Sequence, residues 1–224
     1  MDVLKWFHKK KHKTDKVFVH IGKCGGSSVL DEFKKRNMKF QEKHVAAFKF
    51  RKKKKYCIII RNPISRFVSA FNWRYKLVVE DEVQKDMFEG EHTLLKTYKN
   101  VNDLAENIYD ENGNLVLDFK SDAYYIHHIK EDIDFYIGNL LKKCKKKHIM
   151  AVLATETLSD DLERHFGISL NSHLKKNKKD KYLSPLALKN LTRYLEKDFA
   201  CIERLNTLGC LTSEQYKLLS NKEF

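Results

Sequence analysis

The stretch KVFVHIGKCGGSSVLDEF, residues 16–33, decides how the chain folds. KVFVHI is filled by β-branched and aromatic residues and closed by Gly22, the pattern of a buried strand. SSVLDEFKKR then reads as a helix, with Ser27 or Ser28 as its cap and Val29, Leu30 and Phe33 on one face. Between them stands KCGGSS. A strand that feeds a glycine-rich turn and then a helix gathers backbone N–H groups around one point at the helix N-terminus, where the helix dipole also favours negative charge. Gly25 and Gly26 permit close approach of the backbone, Ser27 and Ser28 add hydroxyl donors, and Lys23 supplies a full positive charge. The lysine precedes the glycine pair, so the order of the Walker nucleotide-binding loop is absent. On these residues alone the loop is either an anion site or a structural glycine turn.

A second unit of the same kind follows. YCIII, residues 56–60, is a continuous apolar run of the sort found in a parallel strand covered on both faces. Asn62 and Pro63 supply an N-cap and a first-turn proline for a helix carrying Phe67, Val68, Phe71 and Tyr75. Arg61 leaves the strand end and Ser69 lies eight residues later, a little over two turns into that helix, so both can reach one phosphate. Two strand–loop–helix units predict an α/β fold with a central, mostly parallel sheet flanked by helices.

Farther along, NDLAENIY predicts a short helix, DENGN a turn, residues 134–146 a lysine-terminated helix, and HIMAVLAT a core strand. LSDDLERHFGI is a capped helix stopped by Gly167, and NSHLKKNKKDKY a long polar loop. SPLALKNLTRYLEKDFACIERL predicts one helix with Ser184 as cap and Pro185 in its first turn; TSEQYKLLS opens on a Thr212–Gln215 capping box.

The length of 224 residues suits one domain, here residues 16–224 after a basic N-terminal tail at 1–15. The net charge of +14 is concentrated in residues 1–16, 49–55, 142–147 and 175–181, and the rest of the chain is mildly acidic. That distribution suits a polyanionic ligand bound at a few places, or solvated surface runs. Five cysteines with no C-x-x-C pair indicate neither a disulfide framework nor a zinc site, and fit a reducing, cytoplasmic setting. No apolar run approaches the roughly 18 residues of a membrane span, so membrane contact is expected to be peripheral at most, through MDVLKWFHKKKHK.

The pair HIGKCGGSS and RNPISRFVSAF resembles the two donor-binding motifs of the sulfotransferases that use 3′-phosphoadenosine 5′-phosphosulfate. KHVAAFKF and SHLKKNKK are similar to segments of the carbohydrate branch that includes heparan sulfate 2-O-sulfotransferase, and the likeness runs from about residue 16 to residue 205. The resemblance implies a P-loop-like sulfotransferase fold. It assigns Lys23, Gly25, Gly26, Ser27 and Ser28 to the 5′-phosphosulfate and Arg61 and Ser69 to the 3′-phosphate, and weakly places Lys175 and Lys176 over the nucleotide, where lysine keeps the charge but loses the arginine fork. Cys24 stands where the family more often has threonine. His44, in the KHVAAF segment, is the implied general base, and Lys23 the cation that bridges transferred and leaving groups. The expected product is 3′,5′-adenosine bisphosphate, and no metal is called for. The acceptor implied is a carbohydrate hydroxyl, on an anionic glycan or a lipid-linked sugar, with no nucleic-acid partner.

His127 and His128 are acceptor contacts, a second base, or ordinary helix surface; Phe71 belongs to the core; and Trp73, off the apolar stripe, is the better sugar-stacking residue. Two other classes compete. A P-loop-type kinase needs an ordered Walker motif and magnesium ligands. A non-catalytic basic nucleic-acid-binding module needs only the lysine runs, and its affinity would not depend on Lys23, whereas a non-catalytic glycan-binding relative would share the donor motifs and differ only in lacking turnover.

Overall fold

In the computed structural model, which describes residues 14–43, 46–169 and 182–223, four strands make one parallel sheet. They are β1 (Lys16–His20), β2 (Gln41–Lys43), β3 (Lys55–Ile60) and β4 (Ile149–Ala154), in the order β2-β1-β3-β4. Val19 pairs with Ile58 and Ile58 with Val152, so the two predicted apolar runs lie side by side in the middle. Five consecutive residues of β3, Tyr56 to Ile60, are buried, as expected of a strand covered on both faces. The chain leaves β1 toward β2 on one side and returns as β3 on the other. That reversal opens a crevice at the carboxyl ends of β1 and β3, the usual ligand position in an open parallel sheet.

Nine α-helices are described: α1 (Gly26–Lys35), α2 (Pro63–Tyr75), α3 (Glu91–Thr97), α4 (Val101–Glu106), α5 (Ile133–Leu141), α6 (Leu158–Phe166), α7 (Pro185–Tyr194), α8 (Glu196–Thr207) and α9 (Ser213–Leu219). A five-residue π-helix, Lys76–Glu80, extends α2. One apolar core joins the sheet to α1, α5, α6 and α8; the other collects Phe67 and Phe71 of α2, Leu104 of α4, Phe119 and Leu191 of α7. Caps are where the sequence puts them at Asn62, Ser184 and Thr212, each accepting the backbone N–H three residues on. Gly167 ends α6 in the left-handed conformation with φ 63°.

Three expectations change. Neither Ser27 nor Ser28 caps α1: Gly25, with φ 81°, holds that place, and the serines fall within the first turn. The helix expected over 134–146 ends at Leu141, where Lys143 N–H bonds the Leu140 carbonyl three residues back and the chain goes on to a 3₁₀ turn at Lys146–His148 before β4. The single helix expected from 185 is two, broken at Leu195. The break lets α7 serve the second core, where Asn190 donates to the carbonyls of Ala105 and Glu106, while α8 turns its Cys201, Ile202 and Leu205 to the first. The NSHLKKNKKDKY loop lies almost entirely outside the described residues.

Candidate active site

The turn after β1 is shaped by what packs behind it. A methyl group on Gly26 would stand 2.1 Å from the His20 ring, so glycine is required for the helix to start this close to the strand. His20 is itself held by Glu42, 2.9 Å from its Nδ1. Lys23 adopts φ 69°, a left-handed backbone that a side-chain-bearing residue rarely takes and that costs about 1 kcal/mol. Among the described residues no side chain caps α1, and no acidic residue occupies its first turn, so the leading N–H groups of a ten-residue helix face the loop without an internal acceptor.

The crevice is tied together across all three strand ends. Arg61, the residue after β3, places Nη1 3.4 Å from the Lys23 carbonyl. The Thr155 hydroxyl, just past β4, lies 2.8 Å from the Cys24 carbonyl and 3.1 Å from that of Ile60. Glu156 accepts the Asn62 N–H at 3.0 Å, and burial pushes its carboxyl up. Cys24 is fully buried and its thiol is pushed up to about 12 by burial, so it remains a neutral packing group.

Lys23 is the electrostatic centre. Burial, then the charges of Arg61 and Arg66, lowers its ammonium from the ordinary lysine value to about 8. The ammonium rests over the Trp73 ring, 4.3 Å from its centroid, and Trp73 is otherwise exposed. Three cationic residues, with no carboxylate among the described residues at hydrogen-bond distance from Lys23, make a ready anion site.

Arg66 was not singled out in the sequence, and it organises the site. Its side chain is almost completely buried; Nε donates to the Gly22 carbonyl at 2.9 Å and Nη2 to the carbonyls of His128, at 2.9 Å, and Glu131. The signal was present: Arg66 and Arg74 stand four residues either side of Ala70 on the buried stripe of α2, where only a paired charge is tolerated. Arg74 is paired with Glu91 through two contacts of 2.9 and 2.6 Å, and Glu91 also accepts the His127 N–H at 2.8 Å.

His127 and His128 therefore lie on a turn beside the loop and not on helix surface. Their rings stand 4.0 Å apart, and a methyl group on Gly22 would meet His128 Nδ1 at 2.7 Å. Burial, then the charges of His127, Arg66 and Lys23, lowers the His128 imidazole to about 3 and keeps it neutral. Glu131 is held down to about 2, the contacts from His127 and the His128 N–H outweighing its burial.

The structure thus brings together Lys23, Gly25, Gly26 and Arg61. Ser27 and Ser28 are exposed in the first turn of α1, and Ser69 is half-buried two turns into α2. His44, Lys175 and Lys176 lie outside the described residues. Of the lysine runs, Lys54 and Lys55 are engaged with the carbonyls of Thr14 and Lys147 and Lys142 with Asn139, which leaves those heads in local surface contacts.

A comparison with family models matches residues 11–201 to the sulfotransferase family. The chain belongs to the sulfotransferase family. No curated protein and no solved structure shows a significant match to this sulfotransferase. Membership makes it a transferase whose general chemistry is sulfuryl transfer, and the parallel sheet flanked by helices is consistent with the family's fold. Among the described residues no helix is long and apolar enough to cross a membrane.

Proposed function

We propose that this sulfotransferase moves a sulfuryl group from 3′-phosphoadenosine 5′-phosphosulfate to a hydroxyl of a carbohydrate. The observation that carries the reading is the meeting of its two motifs: Arg61 lies against the Lys23 carbonyl, so a desolvated ammonium, uncapped helix N–H groups and a guanidinium converge at one crevice. A ligand with two separated anionic ends uses such a site fully. In this reading the loop of Lys23, Gly25, Gly26, Ser27 and Ser28 takes the 5′-phosphosulfate, Arg61 and Ser69 the 3′-phosphate, and Lys175 and Lys176 close over the nucleotide.

His44 removes the proton from the acceptor hydroxyl while its oxygen bonds to sulfur. The bond from sulfur to the 5′-phosphate oxygen breaks, and 3′,5′-adenosine bisphosphate leaves with the negative charge that the Lys23 ammonium meets. Lys23 leaves the Trp73 face to do so, and the freed ring, exposed at the crevice, offers a stacking surface for the acceptor sugar. The acceptor class proposed is an anionic glycan or a lipid-linked sugar. Buried, unpaired thiols at Cys24, Cys57, Cys144 and Cys201 suit a reducing compartment, and the location proposed is cytoplasmic.

Labelled donor incubated with a panel of glycans tests the roles. His44→Ala is expected to bind the bisphosphate product as wild type does and to lose transfer by at least about a hundredfold. Near-normal turnover in that variant would remove His44 from the mechanism.

A further inference from the structure

The turn that abuts the loop carries two imidazoles and a carboxylate whose donor atoms face one another. We infer that His127, His128 and Glu131 form a binding site for a divalent cation of the zinc class. One ligand atom from each residue falls in a set in which no pair is more than 4.8 Å apart. Two ligands of a tetrahedral zinc ion, each about 2.1 Å from the metal, are about 3.4 Å from one another. His127 Nδ1 and Glu131 Oε2 are 3.3 Å apart, already at that edge length. A set of two imidazoles and one carboxylate suits zinc and its first-row neighbours and leaves coordination positions for solvent or a ligand.

The surroundings hold these groups in place. The Tyr125 hydroxyl lies 3.0 Å from His127 Nδ1 and donates to Glu131 Oε1 at 3.2 Å, while Glu131 Oε2 accepts the His128 N–H at 2.8 Å. Phe88 stacks on the outer face of His127 at 4.7 Å and His128 lies on it at 4.0 Å, which fixes the ring planes. His128 keeps a left-handed backbone, φ 68°, and its Nδ1 is buried without a hydrogen-bond partner among the described residues. A buried imidazole nitrogen without a partner is costly unless something else occupies it.

Lys23 and Arg66 act electrostatically on the His128 imidazole, and their charge opposes a cation. With one carboxylate ligand to offset them, the affinity expected is micromolar, well short of a closed structural zinc site. An ion here braces the turn whose carbonyls Arg66 grips, at His128 and Glu131. The site stands whether or not the neighbouring loop holds a phosphosulfate.

The test is titration of the full chain with Zn²⁺ against a chromophoric chelator, and with Co²⁺ by visible absorption. Wild type is expected to take up one ion at this site with a nitrogen-and-oxygen spectrum. Affinity should fall by at least about tenfold in His127→Ala and in His128→Asn, a residue that tolerates positive φ, and remain in His165→Ala. Affinity within about twofold of wild type in both cluster variants, or a thiolate charge-transfer band, would overturn the site. Should a variant fail to fold, the imidazole NMR signals of His127 and His128 in wild type decide: Zn²⁺ must shift them, and unshifted signals refute the inference.

Discussion

Lys23 combines a strained backbone, a partly buried ammonium and a resting place on Trp73, features that a purely structural turn does not require. Its lowered value gives a signed prediction. Above about pH 8 the free enzyme's Lys23 is neutral, whereas an anion in the loop stabilises the charged form; binding must then take up a proton. The affinity for 3′,5′-adenosine bisphosphate is therefore expected to fall as pH rises from about 8 toward the ordinary lysine range, by up to about tenfold per pH unit. Calorimetry in buffers of different ionisation enthalpy should show uptake approaching one proton, and Lys23→Ala should abolish both effects. A pH-independent affinity between those limits contradicts the role given to Lys23.

At the scale of elements, α2 does more than carry the apolar face of the second core. Through Arg66 it clamps the loop after β1 to the turn before α5. Arg66→Met keeps the bulk but leaves the carbonyls of Gly22, His128 and Glu131 without that donor, and should cost about 3 kcal/mol or more, read from denaturant midpoints. A loss below about 1 kcal/mol would mean that the clamp is incidental. The strands and caps were legible because each is written locally: an unbroken apolar run for β3, Asn-Pro for α2, Thr-x-x-Gln for α9. Arg66, the Arg74–Glu91 pair and the turn at His127 were not, since their partners lie 17 to 65 residues away and follow from the packing of α2. The same distance hid the break at Leu195, where continuous helical periodicity gives no sign that α7 and α8 face different cores.

Across the described residues, the positive charge that made the sequence look like a polyanion binder separates into a cationic crevice at Lys23 and Arg61 and the surface runs at 49–55 and 142–147. The interior adds a stability term of its own. Asp198, on the face of α8 that meets α5, is fully buried, accepts the Asp134 N–H at 2.9 Å with one oxygen and has no partner for the other among the described residues. Burial first, then the Asp132 charge, pushes its carboxyl up. The folded state holds this proton more tightly than the unfolded chain does, so the contribution of Asp198 to stability falls as pH rises above the ordinary aspartate range. Asp198→Asn should accordingly raise the melting temperature more at about pH 8 than at about pH 5, and an equal change at both would refute the assignment.

In the proposed function the crevice between β1 and β3 recognises a nucleotide by its 3′-phosphate as well as by its 5′ end. Calorimetric binding of 3′,5′-adenosine bisphosphate against 5′-AMP, at physiological salt and in wild type and Arg61→Ala, tests it most directly. Wild type is expected to prefer the bisphosphate by at least about tenfold, and the variant to lose that preference. Equal affinities in wild type would contradict it and leave the loop as a site for some other anion.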